Sequence, residues 1–187
     1  MRARSRQVQT VTDPRTLRAL AHPLRLTLLD LLDREGQLTA TRASELTGEN
    51  TANCSFHLRQ LAKRGFIEPA DPADARERPW RRSTAGVRIP ATTDPRLLAA
   101  SATVGALVVE RAAADAVQFL GEREHDEVGW QEASLVTIET LHLSRDELEE
   151  LSREIAAVIE RRESARSKRG GGTRPVRVAA MSFPLSQ

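Results

Sequence analysis

The sequence predicts a mainly helical chain with a small β component, divided into two halves of opposite charge. Three observations carry this. Short helical segments punctuated by Asp13-Pro14, His22-Pro23, Gly36, Gly48 and Gly65 fill residues 13–65. One of them, Asn50 to Arg64, has an apolar stripe opposite a polar, basic face. Residues 1–93 hold 16 Lys and Arg against 10 Asp and Glu, a net +6, whereas residues 94–187 hold 12 against 16, a net −4.

The 187 residues can bury one good core or two small ones. A single cysteine excludes an internal disulfide and fits a reducing, cytoplasmic compartment. The longest weakly polar run, Leu97 to Val109, is short of the roughly 20 residues a membrane span needs, so it reads as a buried helix and no membrane partner is expected. Arg2, Arg4 and Arg6 are not followed by an apolar stretch, so the start does not read as a signal peptide. Residues 1–12 read as a flexible arm.

Asp13 caps a short helix to Ala21, with Pro14 at its first position. Pro23 opens the next helix, Leu24 to Glu35, with Leu28, Leu29 and Leu32 inward and Gly36 closing it. Gln37-Leu38 has room for one sheet rung. Thr39 caps a helix through Leu46, with Ala43 and Leu46 inward, and Gly48 makes the turn. Asn50 then caps the two-faced helix. Cys54, Leu58 and Leu61, at i, i+4 and i+7, form its apolar stripe. Its other face carries Thr51, Asn53, Ser55, Phe56, Arg59, Gln60 and Lys63, the residue types that reach base edges and phosphates from a helix in the major groove. Helix, Gly turn, helix is the helix-turn-helix pattern.

Two extended pieces follow, Phe66 to Pro69 and Pro79 to Ser83, around the polar tip Asp71 to Glu77. They read as a β-hairpin wing with Trp80 inward and Arg76, Arg78 and Arg81 outward. The N-terminal half, residues 13–92, is therefore expected to be a winged helix-turn-helix domain.

Leu20-Ala21-His22-Pro23-Leu24-Arg25-Leu26 resembles the opening signature of the ArsR-type winged helix-turn-helix repressors. His57-Leu58-Arg59-Gln60-Leu61 with Gly65-Phe66-Ile67 is similar to the end of their recognition helix and first wing strand, and Arg76 to Arg81 is similar to a wing in one branch of that family. The resemblance covers about residues 13–90. It implies a DNA-binding regulator, and it puts His57 where the family also has histidine, in a structural place or near the DNA. Metal sensing does not carry over. The family's thiolate sites use a Cys-x-Cys pair on the helix before the recognition helix, and Thr41-Arg42-Ala43-Ser44-Glu45 has none; residues 94–120 contain no histidine. Cys54 and His57 alone are too few ligands for a zinc site.

In the C-terminal half, residues 93–187, Asp94-Pro95 opens a long helix to about Leu120, lined by Leu97, Val104, Leu107, Val108, Val117 and Leu120. Ser134 to Leu143 reads as a strand. Ser144 with Glu147 is a capping box for a helix to about Glu163, with Leu148, Leu151, Ile155, Val158 and Ile159 inward. After a basic, Gly-rich linker, Val176 to Phe183 reads as a last strand. The expected architecture is helix–strand–helix–strand, a small α/β unit. Its proposed use is dimerisation through Leu97, Val104, Leu107 and Val108, with Gly105 letting two backbones approach. A small-molecule effector pocket near Trp130 is the other use open to it.

No Gly-rich phosphate loop, paired acid motif or nucleophile elbow is present, so the chain does not read as an enzyme, and no cofactor is expected. The reading is a cytoplasmic, homodimeric, sequence-specific transcriptional regulator, a repressor on a palindromic operator in double-stranded DNA. Thr51, Asn53, Ser55, Phe56, His57, Arg59, Gln60 and Lys63 are expected at the DNA from the helix, and Arg76, Arg78 and Arg81 from the wing. The alternative is a winged helix used for protein–protein contact.

Overall fold

A computed structural model describes residues 8–71, 78–84, 86–90, 92–165 and 173–185. Two compact units divide the chain, one spanning Arg4–Arg111 and the other running from Ala112 onward.

The first unit begins with β1 (Val8–Thr10), which pairs in parallel with β4 (Gly86–Arg88). Residues 8–12 are thus not the flexible arm expected: Val11 is buried and its N–H donates to the Arg88 carbonyl. The rest of that arm, with Arg2, Arg4 and Arg6, lies outside the described residues.

Four helices and a two-stranded wing follow. In α1 (Pro14–Arg18), the Asp13 carboxylate accepts from the Arg15 and Thr16 N–H groups. The Thr16 hydroxyl, which donates to the same carboxylate at 2.6 Å, and then the Arg15 N–H hold its pKa below the usual carboxylate range. The helix is shorter than expected, because Ala19–His22 turn tightly ahead of Pro23, whose ring disfavours helical backbone at the residue before it. Next come α2 (Pro23–Glu35), α3 (Ala40–Thr47) and α4 (Thr51–Lys63). Gly36, Gly48 and Gly65 close α2, α3 and the chain after α4 with positive φ, where a side chain would strain the backbone.

β2 (Ile67–Pro69) and β3 (Trp80–Arg82) form the antiparallel wing, with Ile67 opposite Arg82 and Pro69 opposite Trp80. Leu38 adds the single expected rung through two 2.9 Å hydrogen bonds with Trp80.

Leu17, Leu28, Leu32, Leu38, Leu58, Leu61 and Phe66 are fully buried and form one core. Trp80 packs half-buried against it, as expected. Leu46 does not: it is an exposed residue of α3. In that short helix Ala43 alone is buried, and the stripe is one residue wide. Arg82 is nearly buried beside Asp33 of α2, Nε to Oδ1 3.4 Å, tying β3 to α2.

The core also takes the first turns of α5 (Pro95–Glu122). Leu97, Ala100 and Val104, at i, i+3 and i+7, are buried in it. Arg111 pairs with Asp30 and donates to Thr27 Oγ1 at 2.8 Å. The first compact unit therefore runs on to Arg111. By length and composition alone, Pro95–His125 could cross a membrane. Leu97, Ala100 and Val104, with the Arg111–Asp30 pair, tie its first half to the core of the first unit, whereas most of its other apolar residues, Val108 and Val109 among them, are exposed, so the buried helix expected over Leu97 to Val109 is buried on one side only.

The second unit holds the end of α5, a 3₁₀ turn (Arg123–His125), α6 (Val128–Ala133) and α7 (Arg145–Ser164). Ser144 and Glu147 form the capping box foreseen, with Ser144 N–H donating to the Glu147 carboxylate at 2.7 Å. The two expected strands are absent among the described residues: 134–143 and 173–185 are extended without a ladder partner. Composition favoured strands there, but a strand exists only when a neighbour takes its backbone hydrogen bonds. On α7, Leu148, Leu151 and Ile155 are half-buried, whereas Val158 and Ile159 are exposed.

Leu58→Ala should destabilise the first unit by about 2–5 kcal/mol, the usual cost of a cavity at a fully buried leucine. Urea unfolding followed by helical circular dichroism measures it.

Candidate nucleic-acid interface

The turn between α3 and α4 is held by side chains that cap the backbone. Thr39 Oγ1 accepts from Arg42 N–H at 3.1 Å, starting α3. Ser44 Oγ donates to the Glu49 carbonyl at 2.6 Å, and Glu49 N–H donates to Thr47 Oγ1 at 3.3 Å. Asn50 Oδ1 then accepts from Asn53 N–H at 2.8 Å, starting α4.

Cys54, Leu58 and Leu61 are buried without remainder, as the stripe predicted. Cys54 Sγ lies 3.7 Å from Thr47 Oγ1. Packing of α4 against α2 and α3 leaves one face outward, carrying Thr51, Ala52, Phe56, Arg59 and Lys63, all exposed. Ser55 and Gln60 flank them, half-buried. Ala52, Phe56, Arg59 and Lys63 fall at i, i+4, i+7 and i+11, a row of about three turns. Ala52 escaped the polar reading of this face because alanine carries no polar group. The helical spacing alone would have found it, and a methyl group here can meet a thymine methyl.

Two of the expected residues are placed differently. Asn53 is half-buried, and its amide donates to the Glu49 carboxylate at 2.8 Å. His57 is buried, not on the outer face: its ring lies 4.3 Å from that of His22 and 5.2 Å from Phe56, edge-on to the latter. It is one residue past Phe56 and one before Leu58, so the helix turns it inward. Burial pushes its imidazole below the usual pKa, and the neighbouring His22 and Arg25 push it further.

On the wing, Arg78 is exposed, and Arg76 lies outside the described residues. Arg81 Nε donates to the Glu68 carboxylate across the hairpin at 2.9 Å. That pair is solvent-accessible, so it stiffens the wing weakly and can exchange for a phosphate.

The expected dimer residues also divide. Leu97 and Val104 are 3% and 5% exposed and fill the core of their own unit. Leu107 is half-buried, Val108 is exposed, and Gly105 has nothing within 4 Å of where a Cβ would stand. The outer face of α5 here is carried by Leu98, Val108 and Val109, which the sequence reading had not set apart from the inner one. Around Trp130, the expected aromatic wall, the ring is covered by the Arg174 guanidinium at 4.2 Å, and Arg174 in turn holds Asp126. That hydrogen-bonded pair lowers the pKa of Asp126 and raises that of Arg174.

Residues 20–70 match a known family described as a helix-turn-helix domain. The match runs from the turn before α2 through β2, and so takes in α3, the Gly48 turn and α4. No curated protein matches the chain. The matched segment is a helix-turn-helix of the winged kind found in DNA-binding regulators.

The His57 environment has a pH consequence. A folded-state pKa below the usual 6.5 or so means that the unfolded chain takes up the proton first. This contribution to stability is complete above about pH 6.5 and is lost as the pH falls through the folded value. Urea midpoints should therefore drop between pH 7.5 and pH 5, and His57→Gln should flatten part of that drop.

Proposed function

We propose that this chain is a sequence-specific transcriptional regulator of the ArsR kind, a cytoplasmic repressor acting as a homodimer on a palindromic operator. The observation that carries the reading is the outward row Ala52, Phe56, Arg59 and Lys63 on a helix whose opposite face is locked in the core. Methyl, ring, guanidinium and ammonium groups along three turns suit a major groove. Thr51, Ser55 and Gln60 add hydrogen-bonding groups at its edges. Arg78, Arg81 and Arg76 of the wing serve the flanking phosphates. The net +6 of residues 1–93 supports attraction to a polyanion. Asn53 orients the turn through Glu49, and His57 supports the helix from within.

A two-fold dimer sets two such helices on one face of the duplex, about 10 base pairs apart or a multiple of it. The outer face of α5, with Val108, Val109 and Gly105, serves the dimer better than Leu97 and Val104. A second reading, a winged helix that docks on another protein, is favoured by one observation: Phe56 is 50% exposed at the centre of the face. Binding to duplex DNA from upstream of the chain's own gene, measured against salt, separates the two. A regulator loses affinity steeply as salt rises and keeps a preference for that DNA over random duplex. A protein-docking module shows neither.

Within that experiment Arg59→Ala should weaken specific binding by about 1–3 kcal/mol and relax preference at one base pair, as loss of a bidentate guanine contact does. An equal loss on all sequences would make Arg59 a phosphate contact.

A further inference from the structure

From Ala112 onward, no described residue is buried. A folded unit of about 60 residues hides about 60% of the surface its unfolded chain exposes. Helical pieces and two extended segments with no buried residue among those described are an unfinished fold. Its apolar side chains are correspondingly open: Leu135 is 82% exposed, Ile138 92%, and Val176, Met181, Phe183 and Leu185 all more than half.

The extended segments are held in place. Arg177 Nε donates to Asp115 at 2.9 Å, Arg174 Nη1 to Asp126 at 2.8 Å, and the Ser182 and Ser152 hydroxyls meet at 2.9 Å. Polar groups thus anchor residues 173–185 along the end of α5 and α7, while the apolar groups point away. Residues 135–143 make no backbone–backbone hydrogen bond among the described residues. Their Leu, Val, Ile and Thr composition is that of a strand.

We propose that residues 135–143 and 176–185 are strands of a sheet formed between two copies of this chain, which closes over the exposed apolar residues of α5 and α7. The proposal rests on the homodimer of the proposed function and extends its interface beyond the outer face of α5 to these segments. Area points to a second copy. Fifteen large apolar side chains from Val117 to Leu185 are exposed. At on the order of 60–120 Å² of apolar area each, two-thirds open, they present roughly 1,000 Å² per chain. Two such surfaces together reach the 2,000 Å² or so at which obligate homodimer interfaces begin.

Chemistry points the same way. Glu139 and His142 are the only ionisable groups between Ser134 and Leu143. Arg174 and Arg177 are already paired with carboxylates, so the surface offers little to an anionic partner. A second copy brings matching apolar rows and unpaired backbone groups, and two-fold symmetry pairs each segment with its counterpart.

The test uses the full-length protein, by sedimentation velocity and amide hydrogen exchange. The wild type should be a dimer at micromolar concentration, with the amides of 135–143 and 176–183 exchanging at least 100-fold slower than random coil. Ile138→Lys with Val178→Lys should give monomers that lose this protection and keep that of residues 54–61. Both side chains are exposed, so the substitutions leave the packing of the single chain intact. A wild-type monomer, a dimer whose 135–143 amides exchange at the random-coil rate, or a dimer indifferent to the two lysines would overturn the proposal. So would a monomer that co-floats with vesicles of neutral and anionic phospholipid. A protected dimer with no preferred DNA sequence would contradict the proposed function and leave the intermolecular sheet standing.

Discussion

The burial of Cys54, Leu58 and Leu61 against α2 and α3 decides what the first unit can present to a partner. A helix has one orientation about its axis, and three fully buried positions at i, i+4 and i+7 fix it. Each neighbouring feature maintains that orientation. Gly48 lets α3 stop, Asn50 lets α4 start, and Leu38 with Trp80 joins the wing strands to the turn after α2. Ala52, Phe56, Arg59 and Lys63 face outward because the stripe faces inward. The same constraint explains His57, whose place in the heptad-like spacing belongs to the buried side however polar its ring is.

Much of this was legible in the sequence, because local chemistry and helical period agree there. Caps at Asp13, Thr39 and Asn50, prolines at first helical positions and glycines after last ones all report backbone geometry directly. Asn53 and Arg81 were read by residue type as DNA-facing and His57 through the resemblance; residue type alone does not give the partners the fold supplies, Glu49 one turn back for Asn53, His22 for His57 and Glu68 across the hairpin for Arg81. The pairing of β1 with β4 was invisible for a related reason. Parallel strands nearly eighty residues apart have no shared local signal.

The C-terminal half misleads for another reason. Helix periodicity located α5 and α7 correctly, and a capping box is a local device. Leu97 and Val104 were assigned to a dimer face because an apolar helix position says that it will be covered, not by which chain. In residues 134–143 and 173–185 the pattern demands cover that the chain itself does not give. Both the division of α5 between an inner and an outer face and the open apolar rows beyond it follow from one point: apolar sequence is a statement about burial in the assembled protein.

The central claim is that the outer face of α4 reads DNA as one half of a two-fold pair. Selection of bound duplexes from random DNA by the full-length protein tests it most directly. The account predicts enrichment of an inverted repeat whose half-sites are about 10 base pairs apart, centre to centre, or a multiple of that. Recovery of sequences with no shared motif, bound only through charge, would contradict it.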